Sequence, residues 1–204
     1  MVCEDGEMAW QPDAAFIEGL GFFTAAAAQP KPFDWERPSP CKGWRLLDVV
    51  GHVGAAVRFG TKLLREERPA WEPVEPPGAA VVGDPYAWWN ELVDPARDAV
   101  SGVDLSRVVD SPMGARPIGQ GLAFPAVDLF VHAWDVSRSA GMSIEIPDEA
   151  MEFARAVIGP IPAAQVRNQR VFGDELVAPQ DATATESFIA WTGRNPRWSP
   201  SSSV

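Results

Sequence analysis

A chain of 204 residues, 46% hydrophobic and 22% charged, has the composition of an ordinary globular protein with room for one substantial core. Its formal net charge of −11 argues against nucleic acid or an anionic membrane surface as partner, since both are held by basic patches. Two cysteines, Cys3 and Cys41, make no disulfide framework, Met1–Trp10 is acidic and lacks the apolar segment of a signal peptide, and no apolar run reaches membrane-spanning length; a cytoplasmic location is expected. Nine tryptophans against one tyrosine indicate large apolar surfaces to bury, and a tryptophan face left exposed would favour a homodimer.

In chain order, Asp13–Ala28 reads as a first helix that stops before Pro30 and Pro32, and Phe33–Gly43 as a loop. Trp44–Glu67 reads as a long second helix, with Leu46, Val50, Val53, Val57 and Leu64 along its inward stripe. Its glycines 51, 54 and 60 each cost roughly 1 kcal/mol relative to alanine, so something is expected to approach the backbone closely there, a neighbouring helix or a ligand. Arg68–Asp84 is rich in proline and glycine and is expected to be a surface loop or lid. Pro85–Val100 reads as a third helix interrupted near Pro95, and Ser101–Gly121 as a mixed stretch able to hold a hairpin. Phe124–Gly141 is the fourth helix, opened by Pro125 and closed by Gly141. Pro147–Ile158 is the fifth, with Asp148 and Glu149 in the first turn. Beyond it come an irregular Pro160–Pro179 with a short strand at Arg170–Phe172, a last helix over Ala182–Gly193, and a tail from Arg194 expected to fray.

Chemistry concentrates in two of these helices. The chain has two histidines, His52 and His132, each with an aspartate four residues earlier: Asp48 before His52, Asp128 before His132. Asp128, His132 and Asp135 fall at i, i+4 and i+7, which stacks them on one face of a helix that is otherwise almost wholly apolar. Charged and polar groups placed there need partners, and a divalent metal held between facing helices is one. Two imidazoles and a carboxylate suit Zn²⁺, Ni²⁺ or Fe²⁺ and leave a coordination position open. The metal set on this reading is His52, Asp128 and His132, with Asp48 and Asp135 orienting the imidazoles; either of the latter could take the place of Asp128. The competing reading pairs each histidine with its own aspartate in a metal-free core. Cys41, just before the second helix, reads as a small buried hydrophobe in preference to a reactive thiol. Arg45, Arg58, Arg116 and Arg138 read as solvated surface in preference to anion ligands.

The stretches PSPCKGWRLLDVVGHV (38–53), DLFVHAWDVSRSAG (128–141) and FGDELVAPQDATATESFIAWTGRNPRW (172–198) resemble the DinB-like metal-binding proteins of actinobacteria, in the group related to mycothiol-dependent maleylpyruvate isomerase. The resemblance runs from about residue 10 to residue 198. It implies a mainly α fold, a DinB-like four-helix bundle with extra short helices and a small hairpin. It implies one domain over residues 1–204 with a C-terminal appendage from about residue 160. The family's metal ligands carry over onto His52, Asp128 and His132. Two departures stand out: the isomerase has Glu at the position of Asp128, and its C-terminal substrate domain is not evident here. With these departures the metal site carries over and the isomerase reaction itself does not; the resemblance implies a metal-dependent enzyme that uses a low-molecular-weight thiol, mycothiol, on a small-molecule substrate, in isomerase- or S-transferase-type chemistry. The alternative is a non-catalytic module that binds a small molecule or a metal, its Asp–His pairs structural.

Overall fold

The computed structural model describes residues 10–67, 74–111, 114–167 and 171–200. Four long helices form its centre: α1 (Pro12–Ala27), α2 (Leu46–Leu64), α3 (Pro85–Val100) and α4 (Ile118–Ser139). Each has an apolar stripe to bury, and the four close a ring in which α4 packs on α1 and α2, and α3 packs on α2 and α1. Phe16, Leu20 and Phe23 of α1, Val50 and Val53 of α2, Trp89 of α3 and Leu122 and Leu129 of α4 are all fully buried in it. The Phe23 and Trp89 rings lie 4.4 Å apart, and the Trp89 indole N–H donates to Thr24 Oγ1 at 2.9 Å, so the largest buried ring also has its polar edge satisfied. A two-residue hairpin, β1 (Val108–Val109) with β2 (Arg116–Pro117), leads into α4, and three shorter helices follow: α5 (Asp148–Ile158), α6 (Ala163–Val166) and α7 (Ala184–Trp191). α5 packs on α4, and α7 on α5. This is the mainly helical bundle with a small hairpin that the sequence implies. No helix among the described residues is long and apolar enough to cross a membrane.

The differences from expectation are local. α4 begins at Ile118, six residues before Phe124, so Pro125 lies inside it and not in its first turn. Gly119 and Gly121 hide this extension from a propensity reading, yet Gly121 is needed there because the Leu63 side chain of α2 occupies the space a Cβ would fill. α3 runs unbroken through Pro95, whose own carbonyl accepts from Arg65 Nη2 at 3.2 Å. Of the expected lid, residues 68–73 lie outside the described residues; Pro77–Ala80 forms a 3₁₀ turn with Pro77 and Gly78 buried against α2. The strand expected at Arg170–Phe172 falls partly outside the described residues, and Phe172 makes a single bridge to Arg167. Among the described residues the exposed large hydrophobics include no tryptophan, and Trp10, Trp44, Trp191 and Trp198 are partly buried.

The close approach expected at the α2 glycines is made by the protein itself. A Cβ at Gly51 would collide with the Pro77 carbonyl, and one at Gly54 with the Trp88 ring. Gly51→Ala is therefore expected to destabilise the fold by about 1–3 kcal/mol despite alanine's better helix propensity, because rigid backbone has to move. Urea denaturation reads this directly; a midpoint equal to wild type would contradict the packing.

Candidate metal centre

The site is built by three pieces of chain that meet at the α2–α4 seam. The first is the loop before α2. Ser39 N–H and Oγ both bond to the Trp44 carbonyl at 2.9 Å, and Trp44 N–H returns to the Cys41 carbonyl at 3.0 Å. This tight turn directs Cys41 inward and lays the Trp44 ring 5.0 Å from the His52 ring. The start of α2 is then held by a cap in which Asp48 Oδ2 accepts from the Arg45 N–H at 2.8 Å, while the Asp48 N–H bonds to the Arg45 carbonyl at 3.0 Å.

The second piece is α4, whose spacing delivers Asp128, His132 and Asp135 to one face. The His52 and His132 rings, 80 residues apart in sequence, sit edge to face with centroids 5.0 Å apart. His52 Nε2 lies 3.6 Å from Asp128 Oδ2. One donor atom from each of His52, Asp128 and His132 falls within 4.8 Å of the others. Donors about 2.1 Å from a tetrahedral metal are about 3.4 Å apart, so this set needs only a small contraction to close on an ion. The donor chemistry, two imidazole nitrogens and a carboxylate oxygen, fits a divalent cation of the zinc type.

The third piece is the segment after α7. That helix ends in a Schellman turn: Gly193 N–H bonds to the Ala190 carbonyl, Arg194 N–H to the Ile189 carbonyl, and Gly193 takes the left-handed conformation at φ +84° that the turn requires. The reversal sends the Arg194 side chain inward onto Asp135. Arg194 Nε lies 2.9 Å from Asp135 Oδ1 and 3.0 Å from Oδ2.

Asp135, with no exposure to solvent, therefore collects donors from all three pieces. Its Oδ2 accepts from His132 Nδ1 at 2.8 Å and from the Cys41 thiol at 3.2 Å, and Arg194 pairs with the same carboxylate. Burial alone would push the Asp135 carboxyl up; the Arg194 charge and the His132 hydrogen bond outweigh it and hold it at about 2. A carboxylate only accepts, so the proton of a neutral His132 stays on Nδ1 and Nε2 keeps its lone pair for a ligand. Burial lowers the His132 pKa, favouring the neutral ligand form. Asp128 is also held below the usual carboxylate range: burial opposes this, but the adjacent His52 and His132 imidazoles and the Arg194 charge prevail. Burial and then the Asp135 charge push the Cys41 thiol well up, so it acts as an S–H donor and not a thiolate.

Placed against the sequence reading, His52, Asp128, His132 and Asp135 converge. Asp48 has a different task from the one expected of it. Its carboxylate receives Arg45 Nε at 3.2 Å and the Gly78 N–H at 3.0 Å, fixing the start of α2 and the 3₁₀ turn. Hydrogen bonds from Arg45 and Gly78 outweigh the burial that would raise it and keep its pKa low. Two participants escape a reading by sequence. Cys41 is neither reactive thiol nor plain hydrophobe, and Arg194 stands in the tail expected to fray. The Schellman signature Thr192-Gly193 followed by Pro196 marks where the helix ends, but nothing local says where the next side chain goes.

The model of the mycothiol maleylpyruvate isomerase N-terminal domain matches residues 18–137, more than half of the chain and including all three candidate ligands. The chain belongs to this family. An uncharacterized protein of Mycobacterium tuberculosis, found in strains CDC 1551 / Oshkosh and ATCC 25618 / H37Rv, is 28% identical over 193 residues, covering 86% of this chain and 93% of that one. Among solved structures, the mycothiol-dependent maleylpyruvate isomerase is similar with a TM-score of 0.57 at 16% identity, over 70% of this chain and 65% of that one. A histidine-to-alanine variant of that enzyme gives 0.58 at 15%, over 84% and 77%. The chain thus spans about two thirds of the first of these structures, and at such identities the likeness concerns the fold. Arg194 lies beyond the segment that the family model matches.

Proposed function

We propose that this protein binds a divalent metal through His52, Asp128 and His132 and uses it with a low-molecular-weight thiol, mycothiol on the family evidence, in isomerase or S-transferase chemistry on a small molecule. The observation that carries the metal assignment is the convergence of these three side chains' donors within 4.8 Å while His132 Nδ1 is held by Asp135. As ligands both imidazoles are neutral, so two carboxylates face one guanidinium, and the remaining negative charge suits a cation. Zinc fits the donor set best; nickel and iron share its preferences. Such an ion supplies Lewis acidity, which lowers the pKa of a thiol brought to it.

The chain's own groups account for the rest. The site opens on the side of His52 and Asp128, whose side chains are 20% and 24% exposed, while the His132 side chain at 8% forms its floor. Trp44 covers His52 and also lines a surface groove of about 510 Å³ with Pro38, Lys42, Arg45 and Trp198. A substrate or thiol lying in that groove would touch the indole that packs on His52, with the Lys42 side chain in the same lining.

The test is metal content, then thiol binding. The native protein is expected to carry near-stoichiometric divalent metal, and calorimetric titration with mycothiol is expected to give heat only with the metal-loaded form. A protein that neither carries nor takes up metal would defeat this reading in favour of the second one, a metal-free module. The short His132–Asp135 contact, complete without an ion, is what favours that alternative.

A further inference from the structure

We infer that Arg194 is a positioning residue for the metal centre: its guanidinium locks the Asp135 carboxylate, and through it the His132 ring, so that the C-terminal segment is part of the site and not an appendage to it. The inference rests on the reading of His52, Asp128 and His132 as metal ligands.

The geometry is that of an orienting shell. Arg194 Nε reaches both oxygens of Asp135, at 2.9 and 3.0 Å; Nη2 lies 3.7 Å from Cys41 Sγ and Nη1 3.4 Å from Thr192 Oγ1. Its side chain is 10% exposed, and Asp135 not at all. A carboxylate on a short side chain can turn about χ2; here turning Asp135 would pull its oxygens away from the single Nε–H they share and from the His132 and Cys41 donors. His132 Nδ1 hangs on one of those oxygens, so the angle of the ring, and with it the direction of Nε2, follows the carboxylate. The planar fork is also what lets a single side chain hold Asp135 and meet the thiol of the loop before α2, which the point charge of a lysine would not do.

The backbone around Arg194 is built to aim it. Gly193 comes so close to Gly173 that a Cβ on Gly193 would strike the Gly173 backbone. Beyond Arg194 the tail is tied down again: Arg138 donates to the Trp198 carbonyl at 2.8 and 3.1 Å, and Arg197 pairs with Asp181 at 2.8 Å on the surface. These outer ties allow a control, since Arg197 anchors the tail without touching the site.

Zinc affinity of the full chain, measured by competition with a chromophoric chelator, distinguishes positioning from plain anchoring. Arg194→Gln is expected to bind zinc about 10–100-fold more weakly, the range seen when partners behind metal ligands are removed. Arg197→Gln, which loosens only the tail, is expected to keep wild-type affinity, and Arg194→Lys to fall between the two. Equal affinities in R194Q and wild type, or an equal loss in R197Q, would overturn the inference. Should R194Q not fold, R194K decides by the same comparison: weaker binding than R197Q supports the inference, and affinity equal to R197Q refutes it. A wild-type protein that binds no zinc would instead defeat the metal assignment itself.

Discussion

His52→Ala and His132→Ala should each abolish stoichiometric metal binding, a larger loss than the about 10–100-fold expected from removing a partner behind the ligands. Three protein donors are the usual complement of an open catalytic zinc site, and two do not hold the ion against water and buffer. The two variants should differ in stability. His52, at the open side, leaves a carboxylate that water can reach, whereas His132→Ala removes a buried partner of Asp135 that Arg194 and Cys41 only partly replace. Thermal melts with and without chelator make the assignment sharp. Metal at 100 times its dissociation constant adds about 2.7 kcal/mol to the folded state, so chelator should lower the wild-type melting temperature and leave both variants unmoved. If chelator lowers all three melts equally, the ion is bound elsewhere; if it moves none, the histidines serve the fold alone.

Asp135→Ala is expected to be the most destabilising of these changes, by about 3–5 kcal/mol, because it strands a buried guanidinium and removes the acceptor for the His132 and Cys41 donors at once. Asp135→Asn tests the charge with little change of shape. In the folded protein the Asp135 carboxyl sits at about 2, below its ordinary 3.8, so between these values the unfolded chain binds the proton and the folded one does not. The contribution of Asp135 is then complete above about pH 4 and is lost as the pH falls toward 2. Asp48 and Asp128 are lowered too and weaken the fold in the same direction, so the quantity to read is the difference between wild type and D135N. In urea denaturation across pH 2–5 that difference should shrink steadily with acid. A gap that stays constant would mean that Asp135 does not titrate with folding, and that the pairing with Arg194 is not what holds it.

The residues divide plainly by how far apart their partners lie. The bundle helices were legible because each carries an apolar stripe and α1, α3 and α4 end close to a proline or glycine, and because the stack of Asp128, His132 and Asp135 follows from helical periodicity within eight residues. The start of α4 was obscured because Gly119 and Gly121 are poor helix formers, and at Gly121 the Leu63 side chain fills the space a Cβ would take. Asp48 sits four residues before its histidine as Asp128 does, yet it serves the α2 cap and the 3₁₀ turn, since backbone and Arg45 donors lie nearer.

From its residues alone, then, this protein declared a helical bundle and a candidate ligand set, because both rest on local spacing or on the motifs of a family. The tertiary structure alone decided which groups surround that set. Cys41 and Arg194 lie 94 and 59 positions from the aspartate they share, and such meetings depend on how packed helices bring distant turns together, which no periodicity along the chain encodes.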